Sequence, residues 1–305
     1  MNEITILAPA KINLCLSVLG RRPDGYHDVE MLMQMVGLYD RVRVSRARSG
    51  ISVTCDDVGV PSGDGNIAWK AAAAVLSLAR EEGGLEIEIT KSIPVAAGLG
   101  GGSSDAAAVL TAANMLLGTG LSRTELADLG TGIGMDVPFF FHGPLALAKG
   151  RGELLQSLPP LPGYWVLLVN PGFATSTAWV YRNLNLRLTK KIDCTMIAGL
   201  MTARVIAQRL QNDLETVTAA SHPVIREIEE LLLSRGALGA RMSGSGPTVF
   251  GIFETEKECK KAADRVSREG WKVFAVEALT ASPFEVYHTT RDSAASRDRN
   301  AAPNP

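Results

Sequence analysis

The chain is poor in the residues that build metal centres and covalent frameworks. Its 305 residues hold four cysteines and four histidines. Cys15, Cys55, Cys194 and Cys259 are scattered without a Cys-x-x-Cys pair, so reduced thiols in a cytosolic protein are expected rather than a disulfide framework. His27, His142, His222 and His288 show no spacing of the His-Glu-x-x-His kind, which argues against a protein-ligated zinc ion. Neither sign of charge dominates, since 31 basic and 32 acidic residues leave a formal net charge of -1. That balance lacks the footprint of a general nucleic-acid binder, and an anionic ligand must be held locally. No apolar stretch reaches membrane-spanning length without a charge or a glycine-rich interruption. The amino terminus, Met1-Asn2-Glu3-Ile4-Thr5-Ile6, carries no basic region followed by an apolar signal core. A cytoplasmic protein with neither nucleic-acid nor membrane partners is expected.

Glycine, by contrast, is concentrated. The run Pro94-Val95-Ala96-Ala97-Gly98-Leu99-Gly100-Gly101-Gly102-Ser103-Ser104-Asp105-Ala106-Ala107-Ala108 joins a strand-like segment to a helix-like one. Before it, Leu85, Ile87 and Ile89 alternate with Glu86 and Glu88, the pattern of a strand with one wet face. After it, a helix is expected from about Ser103. A loop almost without side chains lets the backbone approach a ligand closely, and the unpaired amides of the following helix suit phosphate oxygens. Ser103 and Ser104 are candidate caps and candidate hydroxyls for a phosphate or its metal ion. The ordinary P-loop is excluded because no Gly-Lys-Ser/Thr ends the run, and the dinucleotide fingerprint because Ser103 stands where a third glycine belongs. A Gly-x-Ser-x-Gly elbow is also absent around Ser245, where Ser243 takes the first position.

The length allows two domains or one large one. Short strands are expected over 4–7, 12–19, 38–44 and 51–55, then a helix over 67–79 behind Asn66, which reads as its N-cap. Helices follow over 104–117 and 123–129. The proline-rich stretch Leu154–Gly163 reads as a connection between domains. Beyond it come a strand at 164–169, helices within 176–183, 196–209, 212–219 and 223–234, strands at 237–242 and 248–253, a helix at 256–269 and a strand at 272–279. Residues 289–305 read as a disordered tail.

Four separated segments then resemble one superfamily. They are Pro9-Ala10-Lys11-Ile12-Asn13-Leu14, the glycine run Pro94–Ala108, Gly134-Met135-Asp136-Val137-Pro138-Phe139, and Arg241-Met242-Ser243-Gly244-Ser245-Gly246-Pro247. Together they resemble the galactokinase, homoserine kinase, mevalonate kinase and phosphomevalonate kinase superfamily. The text running from Pro9 through Arg21-Arg22-Pro23-Asp24-Gly25-Tyr26-His27, combined with the glycine run, is most similar to the branch acting on 4-diphosphocytidyl-2-C-methyl-D-erythritol in non-mevalonate isoprenoid synthesis. The resemblance covers approximately residues 1–282 and implies an α+β fold of two domains. A ribosomal-protein-S5-domain-2-like unit would span 1–160 and a ferredoxin-like unit 161–288, with the ligand cleft between them.

The same resemblance implies transfer of the γ-phosphoryl group of ATP, as co-substrate with Mg2+, to the 2-hydroxyl of that small cytidine diphosphate-linked acceptor. Asp136 matches the catalytic carboxylate that orients or deprotonates the hydroxyl, and Lys11 the cation beside it. Asn66, Pro94, Val95, Ala96, Ala97, Gly98, Leu99, Gly100, Gly101, Gly102, Ser103 and Ser104 would hold ATP. Asn13, Tyr26, His27, Tyr181, Gly244 and Ser245 would hold the acceptor, with Tyr26 and Tyr181 as opposite stacking walls and His27 on the base edge. Magnesium would ride mainly on ATP rather than in a protein cage. The choice between monomer and weak dimer stays open.

Overall fold

The computed structural model describes residues 2–79, 83–186, 194 and 202–287. The expected tail, His288 and the first part of the helix expected over 196–209 lie outside the described residues.

Two long antiparallel strands, β1 (Glu3–Arg21) and β2 (His27–Ala47), organise the first half. Three short strands, over 4–7, 12–19 and 38–44, were expected along this length. The pairing register shifts between Pro9 and Ala10, Asn13 and Cys15, and Val18 and Gly20, and each shift interrupts the period-2 alternation by which a strand is read. Residues 8–18 of β1 are buried on both faces, so Lys11, Asn13 and Ser17 occupy buried positions that a strand with one wet face would not reserve for polar groups.

Strand β2 has a different neighbour along each half of its length. Its second half pairs with β4 (Gly84–Thr90), which in turn carries β3 (Gly50–Cys55) in parallel. Its first half pairs with β5 (Leu145–Gly150), followed by β6 (Leu154–Ser157). Leu154–Gly163 was expected to be a connection throughout, yet its first residues close this hairpin. Helices α1 (Ile67–Leu76), α2 (Gly101–Leu117) and α3 (Arg123–Thr131) complete this half. Ala68, Ala71 and Ala72 of α1 and Ala106, Ala107, Ala108, Ala112 and Ala113 of α2 are fully buried, and their small side chains let the two helices approach closely. Ser122 opens α3 with a reciprocal capping box to Glu125.

The second half contains an antiparallel sheet of four strands, β7 (Trp165–Asn170), β9 (Gly239–Met242), β10 (Val249–Phe253) and β11 (Lys272–Glu277), in the order β11-β7-β10-β9. Between β7 and β9 lie α4 (Thr177–Asn183), α5 (Ala203–Ala207), the short strand β8 (Gln211–Asn212), α6 (Glu215–Ser221) and α7 (Val224–Ser234). The helix expected over 212–219 begins later because Gln211 and Asn212 pair in parallel with Cys15 and Leu16. Helix α8 (Glu256–Val266) precedes β11. Gln34 fastens the two halves together, donating through Nε2 to the carbonyls of Met35, Pro144 and Leu279.

One expectation is overturned by chain topology. Cys15 and Cys194 form a disulfide with Cα atoms 5.6 Å apart, although 179 residues separate them in sequence. Scattered spacing concealed a proximity made by the fold, in which Cys194 lies against β1 and β2 and its own amide donates to Glu30 Oε1 at 2.8 Å. Cys55 and Cys259 remain free thiols.

Candidate active site

A cleft of about 1250 Å³ opens where β1, the glycine run before α2, the turn after α3, helix α4 and the turn before β10 converge. At its centre the glycine run is pressed against two other segments. Gly98 has φ +78, and a Cβ there would lie 2.1 Å from the carbonyl oxygen of Ser243, so only glycine fits. Ser243 Oγ donates to the Gly98 carbonyl at 3.0 Å and accepts from the Asn13 amide at 3.3 Å. One hydroxyl thereby couples the glycine run to β1. The Thr248 amide adds a bond to the Ala97 carbonyl at 3.3 Å.

Gly100, at φ +70, would place a Cβ 2.9 Å from Lys11 Cγ, which shows how closely the loop passes over the Lys11 stem. Helix α2 starts at Gly101 with Gly100 as N-cap and no side-chain cap. The expected capping by Ser103 or Ser104 therefore does not occur, because the left-handed Gly100 ends the loop earlier than a serine-based reading allows. The first amide to return into the helix is that of Ser104, bonded to the Gly100 carbonyl at 2.9 Å. The amides before it lack intrahelical partners, and Gly101, Gly102 and Ser103 line the cleft. Pro94, Val95, Ala96 and Ala97 line it as well, Ala96 with φ +52. Leu99 and Ser104 turn inward instead and are buried.

Lys11 and Asp136 meet at 3.4 Å between Nζ and Oδ2, the lysine nearly excluded from water and the carboxylate partly open to the cleft. Lys11 Nζ also donates to Asn13 Oδ1 at 2.8 Å. Asp136 sits in a tight turn, with the Val137 amide on the Gly134 carbonyl at 3.1 Å. The buried run Val137–Phe141 anchors that turn in the core. A carboxylate with a cation at its side thus borders the same cleft as the first residues of α2.

The other end of the cleft is aromatic. Asp24 and Gly25 make the expected bend: Gly25 has φ +86, and Asp24 Oδ1 accepts the Tyr26 amide at 3.1 Å. The ring of His27 stacks on that of Tyr181 at 5.1 Å and 27°. Tyr26 was expected to oppose Tyr181. It stands outside that pair, half exposed, and the Arg151 guanidinium lies over its face. Burial and the neighbouring Arg21 lower the His27 pKa, which keeps its imidazole neutral near pH 7 and able both to donate and to accept. Burial and then Asp136 push the Tyr181 phenol upward, so Tyr181 feels both its buried surroundings and the Asp136 carboxylate. Asn66 also lines the cleft and caps α1 through a 2.8 Å bond from the Ala68 amide. Gly244 and Ser245 border the same space, Ser245 Oγ lying 2.8 Å from Thr177 Oγ1.

Several lining residues were not anticipated. Lys91 Nζ bridges Asp40 and Asp105 beneath the start of α2. Its position at the end of a strand just before the glycine run was the available signal. Arg21, Arg151 and Arg182 gather around the aromatic end, and nothing in their local sequence ties them together. No group of three or more His, Cys, Asp or Glu residues that could hold a metal ion occurs among the described residues. No helix among them is long and apolar enough to cross a membrane.

Comparison with known proteins gives consistent results. The GHMP kinases N terminal domain matches residues 66–144, and the GHMP kinases C terminal domain matches residues 196–272. The chain is 51% identical to the 4-diphosphocytidyl-2-C-methyl-D-erythritol kinase of Pelobacter propionicus, over 92% of this chain and all of that one. It superposes on a crystal structure of 4-(cytidine 5'-diphospho)-2C-methyl-D-erythritol kinase with TM-score 0.80 and 35% identity, covering 90% of this chain and 100% of the other. A homoserine kinase from Cytophaga hutchinsonii shares the fold at TM-score 0.72 and 21% identity, over 92% of this chain and 96% of its own.

Proposed function

The chain belongs to the 4-diphosphocytidyl-2-C-methyl-D-erythritol kinases within the GHMP kinases, and from that premise we propose how its own residues carry out the transfer. The reaction moves the γ-phosphoryl group of ATP to the 2-hydroxyl of the acceptor. The observation that carries the assignment of roles is the Lys11–Asp136 pair at 3.4 Å, set against the glycine run in one continuous cleft.

ATP lays its phosphates along the unpaired amides of Gly101, Gly102 and Ser103, where the positive end of α2 offsets their charge. Asn66 and Pro94–Ala97 border the nucleoside side. Cytosine enters the His27, Tyr26 and Tyr181 end, where a neutral imidazole meets its mixed donor and acceptor edge. Asn13 is held by Lys11 and Ser243 and borders the acceptor's methylerythritol portion together with Gly244 and Ser245. Asp136 receives the hydrogen bond of the 2-hydroxyl and takes its proton as the oxygen attacks the γ-phosphorus, whose bond to the β,γ-bridging oxygen breaks to release ADP. Lys11 steadies Asp136 and stabilises negative charge spreading over the transferred group.

The residues fit magnesium carried by ATP. Ser103 opens onto the cleft near Gly134, its Oγ 3.9 Å from the position of a Gly134 Cβ, and it is the hydroxyl we assign to the ion. When bound, the ion supplies charge neutralisation and alignment of the phosphates.

For the scaffold, we assign residues 1–160 to a ribosomal-protein-S5-domain-2-like unit and 161–288 to a ferredoxin-like one. The sequence β7-α7-β9-β10-α8-β11 with spatial order β11-β7-β10-β9 supports the latter.

Asp136→Asn tests the assignment. The substitution preserves shape while removing charge and proton acceptance, so kcat should fall by about 10² to 10⁴ with KM for ATP little changed. Wild-type turnover would remove Asp136 from the mechanism.

A further inference from the structure

The acceptor brings its own diphosphate, and the amides of α2 are committed to the phosphates of ATP. The acceptor's negative charge must therefore be met by side chains at the aromatic end of the cleft. Arg21, Arg151 and Arg182 are the arginines that line it there. Arg182 is turned back on its own helix, its Nε donating to the Ala178 carbonyl at 3.2 Å.

Arg151 is held differently. It occupies the turn between β5 and β6, with Gly150 at φ +71 and Gly152 at φ +115 on either side. Its amide donates to Glu153 Oε2 at 2.5 Å, so the backbone of the turn is fixed. Its guanidinium lies 5.1 Å above the Tyr26 ring. The ion pair from Nε to Glu153 Oε1 spans 3.6 Å, longer than a hydrogen bond. A guanidinium that stacks through its face keeps its N–H groups in the plane of its rim, directed sideways. Stacking and anion recognition are therefore compatible in one side chain.

We propose that Arg151 is a specificity-determining residue for the acceptor, bracing Tyr26 by cation–π contact and offering its guanidinium rim to the diphosphate that links cytidine to methylerythritol. The proposal rests on the reading of Tyr26, His27 and Tyr181 as the cytidine end of the cleft. It accounts for a cation placed against an aromatic wall that is half exposed in the free protein. It also explains selection of a nucleoside diphosphate ester over a plain alcohol. Lys11 and Asp136 act at the hydroxyl and the transferred phosphoryl group and do not sense the remote half of the acceptor.

The test is steady-state kinetics of Arg151→Gln and Arg151→Lys with the full-length protein, Tyr26→Ala serving as a control on the pocket. Arg151→Gln should raise KM for the cytidine-linked acceptor about tenfold, roughly 1.4 kcal/mol, with the loss falling on that KM rather than on kcat or KM for ATP. Arg151→Lys keeps the charge and loses the flat face, so it should recover part of the affinity. Raising the salt concentration should weaken acceptor binding more in wild type than in Arg151→Gln. An unchanged acceptor KM in Arg151→Gln, beside a raised one in Tyr26→Ala, would overturn the role of Arg151 alone. An unchanged acceptor KM in Tyr26→Ala would overturn the cytidine-pocket reading beneath it.

Discussion

Replacing Asp105 with asparagine should make the protein gain stability relative to wild type as pH rises. Lys91 Nζ is 2.8 Å from Asp105 Oδ2 and also contacts Asp40 Oδ2. Asp40 is further engaged through Oδ1 by the amides of Ser92 and Ile93, at 2.7 and 2.8 Å. One ammonium thus serves two buried carboxylates, and Asp105 Oδ1 has no hydrogen-bond partner among the described residues. Burial raises the Asp105 pKa, Lys91 opposes that rise and Asp40 adds to it, leaving the carboxyl at about 7. On Lys91 itself burial favours the neutral amine, but Asp105 and Asp40 outweigh it and hold the ammonium charged.

An unfolded aspartate titrates near 3.9, so the native chain binds the extra proton between about pH 4 and pH 7. The folded pKa is the higher one. This contribution to stability is fully present below the unfolded pKa and is lost as pH climbs through about 7. A displacement of roughly three units corresponds to at most about 4 kcal/mol. Asparagine resembles the protonated acid and cannot ionise, so the variant lacks this slope.

Urea unfolding of both proteins from roughly pH 5 to pH 8.5 isolates the effect in the difference between the two stabilities, since other groups cancel. The difference should move toward the variant between pH 5 and about pH 7 and level off above that. A difference that stays flat, or that turns against the variant as pH rises, would refute the shared-ammonium picture.

Two further outcomes concern the scaffold. Gly98→Ala should destabilise the fold by about 2 to 4 kcal/mol, combining the left-handed backbone penalty with overpacking, because its Cβ would meet the Ser243 carbonyl at 2.1 Å. Gly102→Ala, whose Cβ would meet only Ile67 Cδ1 at an ordinary 3.5 Å, should unfold at a denaturant concentration near that of wild type. Dithiothreitol should lower the melting temperature of wild type through loss of the Cys15–Cys194 link, a cross-link of a class worth about 2 to 4 kcal/mol. The reagent should leave Cys15→Ser unaffected, and equal responses of the two proteins would contradict a stabilising link.

Local chemistry was legible where one residue type has few uses. Glycine at 98 and 100 was read as admitting a ligand close to the backbone, and the structure gives these two glycines a further reason, since the Ser243 carbonyl and the Lys11 stem already press against them. Asn66 was readable as an N-cap because the helix behind it is alanine-rich, and its side chain does bond the Ala68 amide. The length of β1 and β2 was hidden by register shifts that scramble alternation. The start of α2 was misread because a left-handed glycine, which leaves no polar signature, replaced a serine cap.

Long-range partnerships were not legible at all. Lys91 finds Asp40 51 positions away, and Cys15 finds Cys194 179 positions away. Such meetings depend on which strands lie side by side, which local pattern does not encode. Lys11 and Asp136 became a pair before the structure only through resemblance of their surrounding motifs. The 3.4 Å distance between them belongs to the fold.

The central claim is that Asp136 receives the proton of the acceptor hydroxyl while the phosphates of ATP lie on the amides of α2. A crystal structure of the protein with the cytidine-linked acceptor and a non-hydrolysable ATP analogue measures this directly. The account predicts the 2-hydroxyl oxygen within about 3 Å of an Asp136 carboxylate oxygen, with the γ-phosphorus on its opposite side. A hydroxyl bound away from Asp136, or a triphosphate lying elsewhere than Gly101–Ser103, would contradict it.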